Sequence, residues 1–286
     1  ELLIQLIDEA ESIVLCCHMN PDGDALGACL GWAEYLRTVH DKEPQIIIPD
    51  QFPDYLQWLP FTEKIIRYDK HREGCDWTLA HADLIFCLDF NTPNRTKSVE
   101  PLIREVKGHR VLIDHHLDPD DFCELTFSRP EASSTCELVF ALIEAMHGGE
   151  LLTKAAATCL YCGMMTDTGG FTFNSNRADI FRIIGNLLEH GINKDDIYRR
   201  VYNNYSEDRL RMMGFVLYEK MRLFPEQKAA LITLSRAEMN RFRFVKGDTE
   251  GFVNLPLQIR GIRFSAFLHE DTADKNEIHI SLRSVG

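Results

Sequence analysis

The sequence has no uninterrupted apolar run that approaches the roughly 20 residues of a membrane-spanning helix. It also has no excess of basic residues, because 31 lysines and arginines stand against 44 acidic residues, for a formal net charge of −13. That balance argues against a broad electrostatic grip on long nucleic acids, which depends on an extended basic surface. A short anionic substrate held by a few arginines remains compatible with it.

The sequence also lacks the paired cysteine motifs of zinc ribbons. Its nine cysteines are an odd number, and most of them lie in apolar runs. Cys159 and Cys162 have C-x-x-C spacing, but they fall in a helical pattern without a second pair nearby. We therefore expect buried free thiols and a reducing cytoplasmic location. The lack of a long apolar run predicts no association with membranes.

Length and hydrophobic patterning predict two lobes. A chain of 286 residues usually divides into more than one core. Strand-like runs alternate with helical patterns in its first part, which predicts an α/β fold with a mostly parallel sheet flanked by helices. Strands return after Pro225 and predict a smaller C-terminal α/β domain. We expect a first domain at 1–205, a linker helix at 206–224 and a second domain at 225–286.

The individual elements are predicted from the period of their apolar residues. Strands are expected at 13–17, 45–48, 84–89, 111–114, 229–234, 264–268 and 278–282. Helices are expected at 25–35, 134–146, 155–165, 177–190 and 207–224. The first four strands belong to the first domain and the last three to the second.

One imidazole and two carboxylates follow the first predicted strand within seven residues, at His18, Asp22 and Asp24. An ordinary structural reading explains part of this segment, because Asp22-Gly23 is a common turn pair and Asp24 would cap a helix that begins at Ala25. That reading leaves His18 and the second acid unexplained. Ligands of parallel α/β sheets bind at the carboxyl ends of the strands, which is where this turn is expected.

Three further segments deliver acids and histidines to what we expect to be the same edge of the sheet. Asp89 ends one apolar run, and Asp114-His115-His116 ends another. Asp167 follows a largely apolar segment and precedes Gly169-Gly170, which would let the backbone turn tightly beside a ligand. Phe171 and Phe173 come next; they could stack a nucleobase, but their alternating positions favour burial in the core.

Carboxylates gathered this closely repel one another unless cations neutralise them. Oxygen ligands with a few imidazoles and no thiolate suit Mn²⁺, and Zn²⁺, Fe²⁺ or Co²⁺ would also fit. A carboxylate can bridge two such ions about 3.5–4 Å apart, and the pair can then promote displacement at phosphorus. The residues therefore indicate hydrolysis of a phosphate ester.

This ordered set resembles the four motifs of the DHH phosphoesterase superfamily. The resemblance is carried by His18-x-x-x-Asp22-x-Asp24, Asp89, Asp114-His115-His116 and Asp167, which agree with the family in spacing, order and strand context. Two further segments resemble its NrnA-type branch, namely Ala132-Ser133-Ser134-Thr135 with Glu137, and Thr166-Asp167-Thr168-Gly169 with Phe171. The resemblance extends through essentially the whole chain and implies a DHH catalytic domain followed by a DHH-associated substrate-binding domain.

The resemblance also implies roles for these side chains. His18 and Asp22 would hold one metal ion, Asp24, His115 and Asp167 the other, and Asp89 would bridge the two. His116 would face the scissile phosphate, and Asp114 would orient an imidazole through its ring N–H. Because His115 and His116 are adjacent, we expect the two rings to point to different partners.

The second domain offers a candidate for phosphate binding. His279, Ser281 and Arg283 alternate with apolar residues, so they share one face of a predicted strand. A solvated strand would show the same pattern, but the resemblance implies that an arginine on this strand grips the substrate phosphate. Arg95, in a polar loop after Asp89, is a second candidate. In the family this domain continues into a Gly-Gly-Gly-His loop that the printed sequence, which ends at Gly286, does not reach, so we expect an incomplete second domain.

The NrnA-type branch implies a substrate class and an activity. Its members degrade very short oligonucleotides and remove the 3′ phosphate of adenosine 3′,5′-bisphosphate (pAp). An enzyme acting on polyphosphate or pyrophosphate, or on the linear dinucleotide pApA, would share the same ligands. A non-catalytic nucleotide-binding module is ranked last, because no expected ligand is missing. A homodimer is left open.

Overall fold

The computed structural model describes residues 1–272, 274 and 276–285. The chain forms two compact units, 1–201 and 202–286. The boundary between the two units thus falls near the predicted domain boundary at 205. The assignment of catalysis to the first unit and of substrate binding to the second remains a prediction. In the described part of the chain, no helix is both long and apolar enough to cross a membrane.

The first unit is built on a parallel sheet. Its strands are β1 Ile13–Cys16, β2 Gln45–Ile48, β3 Ile66–Arg67, β4 Leu84–Leu88, β5 His109–Asp114 and β6 Leu125–Ser128. Their order is β3-β2-β1-β4-β5-β6, and every neighbouring pair is parallel. The strand order reverses between β1 and β4, and ligands of open α/β sheets bind at such a switch point. The predicted fold class is confirmed.

Helices flank this sheet. They are α1 Leu2–Glu9, α2 Gly23–Val39, α3 Arg72–Ala80, α4 Glu100–Glu105, α5 Thr135–Ala145, α6 Lys154–Asp167, α7 Ala178–Glu189 and α8 Lys194–Tyr202. Strands β1 and β4 are entirely buried and β5 is buried from Val111 to Asp114, as expected for strands covered on both faces. The sequence did not predict β3 or β6, because both are short and their side chains are only partly buried.

Two glycines let α2 and α6 pack closely in opposite directions. A Cβ on Gly27 would lie 2.5 Å from the carbonyl oxygen of Cys159, and one on Gly31 would lie 2.7 Å from the Leu160 side chain. At the start of α2, a Cβ on Gly23 would lie 2.3 Å from the Thr166 hydroxyl. The first turn of α2 therefore meets the last turn of α6, and each of these turns carries a predicted ligand.

The second unit has a mixed sheet of four strands in the order β10-β9-β8-β7. The strands are β7 Arg222–Phe224, β8 Ala229–Leu234, β9 Phe264–Glu270 and β10 Ile278–Ser284, and its helices are α9 Glu207–Phe215 and α10 Arg236–Arg241. Met212 and Val216 pack with Ile232 and Phe267 in the core of this unit.

The segment predicted as a linker helix, 206–224, is not one continuous helix. After α9 a π-helical turn runs from Val216 to Lys220, and residues 222–224 form β7. The helical prediction is therefore wrong at its end, because Arg222–Phe224 pairs with β8 instead of continuing the helix. The segment lies wholly in the second unit, with its apolar side chains in that unit's core.

Candidate active site

The turn after β1 places Asp22 and Asp24 by capping α2. The N-cap is Asp22, whose Oδ1 accepts hydrogen bonds from the backbone N–H groups of Asp24 at 3.0 Å and Ala25 at 3.1 Å. The expectation that Asp24 would be the cap is wrong, because the helix begins at Gly23. Asp24 instead lies in the first turn and is buried.

The carboxylate of Asp24 is held by the N-terminus of α5. The backbone N–H groups of Thr135 and Cys136 donate to Oδ2 and Oδ1 of Asp24 at 2.6 and 2.9 Å. A helix N-terminus favours negative charge through its unpaired N–H groups and its dipole. The structure therefore fixes both oxygens of a predicted ligand with backbone donors from a distant segment.

Asp89, directly after β4, lies at the centre of the cluster. Its backbone has a φ of 64°, which is uncommon for a residue with a side chain. Its Oδ2 lies 3.3 Å from Nε2 of His18, and its Oδ1 lies 3.6 Å from Nε2 of His115. The hydroxyl of Thr135 donates to the same Oδ1 at 2.8 Å. The two oxygens of Asp89 thus face two different histidines.

Backbone carbonyls orient His18 and His115. Nδ1 of His18 lies 2.7 Å from the carbonyl oxygen of Met19, and Nδ1 of His115 lies 3.3 Å from that of Ala132. Because a carbonyl oxygen can only accept, Nδ1 is the donor in both rings, and Nε2 is directed to the carboxylates. Metal-binding histidines commonly have this arrangement.

These side chains form two groups joined at Asp89. The ligand atoms of His18, Asp22 and Asp89 all lie within 4.8 Å of one another, and so do those of Asp24, His115 and Asp167; a ring nitrogen of His116 comes equally close to Asp89 and His115. Both groups consist of carboxylate oxygens and imidazole nitrogens, a donor set that suits divalent cations of intermediate softness. The structure therefore brings all six predicted metal ligands together, and the donor set fits divalent ions.

The charges of the cluster shift one another's pKa values. Burial, followed by the neighbouring Asp89 and Asp167, raises the pKa of Asp24 well above its usual range. Burial alone would lower the pKa of His18, but its contact with Asp89 and the charge of Asp22 raise it to about 10. Burial alone would raise the pKa of Asp89, yet His18 and the neighbouring imidazoles lower it. The carboxylates thus favour positive charge between them, as a cation site should.

His116 differs from His115 in what holds its ring. Nδ1 of His116 lies 2.7 Å from Oδ1 of the fully buried Asp114, whose Oδ2 accepts from the His116 backbone N–H at 3.0 Å. The same Nδ1 is 3.7 Å from Asp89. The two rings thus have different nearest partners, although their centroids are 4.8 Å apart and both lie near Asp89; the division of roles between them stays a prediction.

The start of α5 was the functional element that sequence reasoning did not assign. Ser134 caps the helix by accepting from the N–H of Glu137, and Glu137 in turn accepts from the backbone and hydroxyl of Ser133. Arg177 pairs with Glu137 from the far side. The capping pattern was visible in the sequence, but nothing local indicated that Thr135 would reach Asp24, which is 111 residues away.

The predicted substrate-binding arginines are less firmly held. The backbone carbonyl of Arg95 accepts from the N–H of Met19 at 2.8 Å, which places its loop beside the His18 segment. Arg283 lies on β10 in the second unit and is exposed. Within the described residues its guanidinium donates only to the neighbouring carbonyl of Leu282.

The aromatic pair after Asp167 departs from expectation. Phe171 is half-buried against Tyr161, with ring centroids 5.6 Å apart, whereas Phe173 is 47% exposed. The expectation that both would be core residues is therefore wrong for Phe173. The cause is local: the backbone has positive φ at Gly169, Gly170 and Phe171, which breaks the alternation that a strand would have imposed.

Comparison with known proteins supports a common family. The chain is 25% identical over 286 residues to the bifunctional oligoribonuclease and PAP phosphatase NrnA of Bacillus subtilis, covering 99% of this chain and 85% of that one. It is 27% identical over 274 residues to the protein of the same name from Thermus thermophilus, covering 96% and 76%.

A solved structure is similar over the whole chain. The crystal structure of an exopolyphosphatase-related protein from Bacteroides fragilis has a TM-score of 0.94 at 48% identity, covering all of this chain and 82% of that one. The model of the DHH family, N-terminal domain, matches residues 12–164, which include the segments of His18 through His116 described above. Phosphoesterases of this family are metal-dependent. The matched segment is more than half of the sequence, and the chain therefore belongs to the DHH family.

Proposed function

We propose that this protein is a phosphoesterase that hydrolyses short oligonucleotides and pAp with two divalent cations. The observation that carries the proposal is the position of Asp89, whose two oxygens face two separate groups of ligand atoms. Such an arrangement is expected of a carboxylate that bridges a pair of ions. A site for a single ion would not need a carboxylate in this position between two groups.

We assign the ligands to two ions according to the distances between their donor atoms. His18 and Asp22 would hold one ion and Asp24, His115 and Asp167 the other, with Asp89 between the two groups. Mn²⁺ is the ion we favour, because the donors are oxygens and imidazoles without thiolate. Divalent ions in such a site activate water at neutral pH and neutralise the oxygens of a phosphate group.

His116 and Asp114 are proposed to act on the substrate. Asp114 holds Nδ1 of His116, so that Nε2 remains for the scissile phosphate or the leaving group. The bond from Nδ1 to a carboxylate makes the ring a better proton carrier and fixes its orientation.

We assign binding of the remaining phosphate groups to Arg95 and Arg283. Within the described residues the guanidinium of Arg95 has no hydrogen bond or ion pair. Its loop lies beside the His18 segment, so its donors are available to an anion near the cluster. Arg283 would add contacts from the second unit, with a planar fork that suits phosphate oxygens.

The relatives named NrnA favour the nucleotide substrates. A second candidate is hydrolysis of inorganic polyphosphate or pyrophosphate, favoured by the description of the Bacteroides fragilis protein as exopolyphosphatase-related. A cytoplasmic location is also proposed, because all nine cysteines are free and such thiols persist in a reducing compartment.

The experiment that tests this proposal compares substrates on one protein preparation. The metal-free protein is supplied with Mn²⁺, Zn²⁺, Fe²⁺ or Co²⁺ and assayed on pAp, pApA, di- to pentanucleotides, pyrophosphate and polyphosphate. We expect the highest kcat/KM on pAp or the short oligonucleotides, with Mn²⁺, and loss of activity in chelator. A preference for pyrophosphate or polyphosphate would establish the second candidate, and absence of hydrolysis with every metal would overturn both.

A further inference from the structure

The loop that follows Asp167 presents an aromatic side chain that the proposed chemistry does not use. Thr168 anchors this loop: its buried hydroxyl donates to the Met164 carbonyl at 2.6 Å, and its own carbonyl accepts from the N–H of Phe173 at 2.9 Å. The N–H of Phe171 donates to the Thr168 hydroxyl at 3.0 Å. The loop is therefore tied to the end of α6, the helix that carries Asp167.

The backbone of this loop is held in an unusual conformation. Gly169, Gly170 and Phe171 have φ of 56°, 73° and 65° in succession, and Asn174 has a φ of 44°. Positive φ at a residue with a side chain is uncommon, and such conformations cluster at functional sites. Here the hydrogen bonds to Thr168 hold the loop in this conformation. As a consequence, the Phe171 side chain is half-buried while that of Phe173 is exposed.

The ring of Phe173 lies close enough to Gly169 to exclude a side chain there. A Cβ on Gly169 would lie 2.5 Å from Cε2 of Phe173, so the ring is in direct contact with the glycine backbone. Tyr198, 46% exposed, lies beside Gly170 in the same way, with Cε2 3.6 Å from the position of a Cβ. Two partly exposed aromatic side chains thus lie on the two glycines.

The position of this ring relates it to the cluster. Gly169 is two residues from Asp167, so its Cα lies at most about 7.6 Å from that of Asp167. The Oδ2 of Asp167 is 3.4 Å from Nε2 of His115. The ring therefore contacts the loop that directly follows a candidate metal ligand, and nearly half of its surface is open to solvent.

We propose that Phe173 is a specificity residue that stacks a nucleobase of the substrate. The inference rests on the proposed phosphoesterase function and narrows its substrate class to compounds that carry a base. Aromatic rings bind bases of any identity through their faces, so this contact selects nucleotides over inorganic phosphates without selecting a sequence. It also suits a protein of net charge −13, because stacking needs no basic surface.

The kinetic test replaces Phe173 and varies the base. Phe173→Ala should lower kcat/KM about tenfold or more on pAp and dinucleotides, mainly through KM, and leave an abasic dinucleotide unchanged. Phe173→Tyr should retain activity. Phe181→Ala removes a similarly exposed ring (55%) on α7 and should change nothing. Equal losses on the abasic and the complete dinucleotide would overturn the proposal.

A binding measurement keeps this test independent of turnover. In the Phe173→Trp variant with Mn²⁺, adenosine 5′-monophosphate should quench fluorescence at concentrations where ribose 5-phosphate does not. Equal responses to the two ligands, or none to the nucleotide, would contradict base stacking even in an active enzyme. If no substrate is hydrolysed, quenching by the nucleotide alone would still support the base site while the proposed function fails.

Discussion

The carboxyl edge of the parallel sheet and the face of β10 were both predicted to contact substrate, and the chain fixes them very differently. Asp24, Asp89 and Asp114 are buried at the sheet edge; Asp24 and Asp89 accept hydrogen bonds from the start of α5, and Asp114 is bonded to His116. On β10 the polar Arg283 is exposed and binds only its neighbour's carbonyl within the described residues.

The apolar side of β10 shows the same contrast. Ile278, Ile280 and Leu282, which alternate with the polar residues, are 61%, 62% and 51% exposed. The first region is therefore prepared before any ligand binds, whereas the second is not. Preorganised groups lose little entropy on binding, so we expect substitutions in the first region to cost more activity than those in the second.

The largest effect is expected for Asp89→Asn. Among the six predicted ligands, Asp89 is the carboxylate that faces both groups; the change removes its charge, and several kcal/mol of charge stabilisation should be lost. We expect kcat/KM on pAp to fall by about three orders of magnitude or more, together with metal content. Steady-state kinetics and metal analysis of the purified variant measure both.

Asp83 provides a matched control at the other end of the same strand. It precedes β4 and accepts from the Ser12 backbone N–H at 2.9 Å and hydroxyl at 3.0 Å, contacts that lower its pKa. Asp83→Asn should leave kcat/KM unchanged. Full turnover by Asp89→Asn in chelator-treated buffer would end the two-ion hypothesis.

A second prediction separates the adjacent histidines. His115→Ala should lose metal, because Nε2 of His115 lies within 3.8 Å of Asp24, Asp89 and Asp167. His116→Ala should keep most of its metal and lose about 10²- to 10⁴-fold in kcat, the range for a general acid or base. Metal analysis beside single-turnover kinetics decides the matter. Equal metal loss in both variants would show that His116 is a ligand as well, an outcome that its distance to Asp89 makes worth testing.

Thr135 tests how far preorganisation matters at the sheet edge. Thr135→Val keeps the shape and the backbone N–H that holds Asp24, but it removes the hydroxyl that donates to Asp89. We expect Mn²⁺ affinity to fall about 10- to 100-fold, as for other residues that orient metal ligands. Calorimetric titration of the metal-free protein gives the affinity.

The conservative variant supplies the control for that prediction. Thr135→Ser restores a hydroxyl and should recover most of the affinity. If Thr135→Val binds Mn²⁺ as tightly as the unmodified protein, the hydroxyl contributes nothing to the position of Asp89, and the sheet edge is less dependent on α5 than we infer.

Whether a contact in the site could be predicted from the sequence depends on how far apart its residues lie along the chain. Segments ending in Asp89 and Asp114 could be placed at one edge because parallel strands align their carboxyl ends. The contact from Thr135 to Asp24 could not, since it depends on the packing of α5 against α2 across 111 residues. Phe173 was misassigned because consecutive positive φ values, set by Gly169 and Gly170, override the period of two.

The smallest effect is expected for Arg283→Lys. The charge survives, but the planar fork that can bind two phosphate oxygens does not. Because Arg283 is exposed and must be ordered by the substrate, we expect a loss of about 1 kcal/mol, or roughly fivefold to tenfold in kcat/KM, mainly through KM. The loss should be larger on pAp than on p-nitrophenyl phosphate, which has one phosphate, and Mn²⁺ affinity should be unchanged.

Arg222→Lys, on the opposite edge strand β7, is the matched control. If Arg283→Lys lowers kcat/KM on pAp more than Thr135→Val does, the second unit is as well prepared for substrate as the sheet edge. The contrast between the two regions then fails. If it costs nothing on pAp, β10 is a solvated strand, and substrate selection belongs to the first unit, where Arg95 and Phe173 lie.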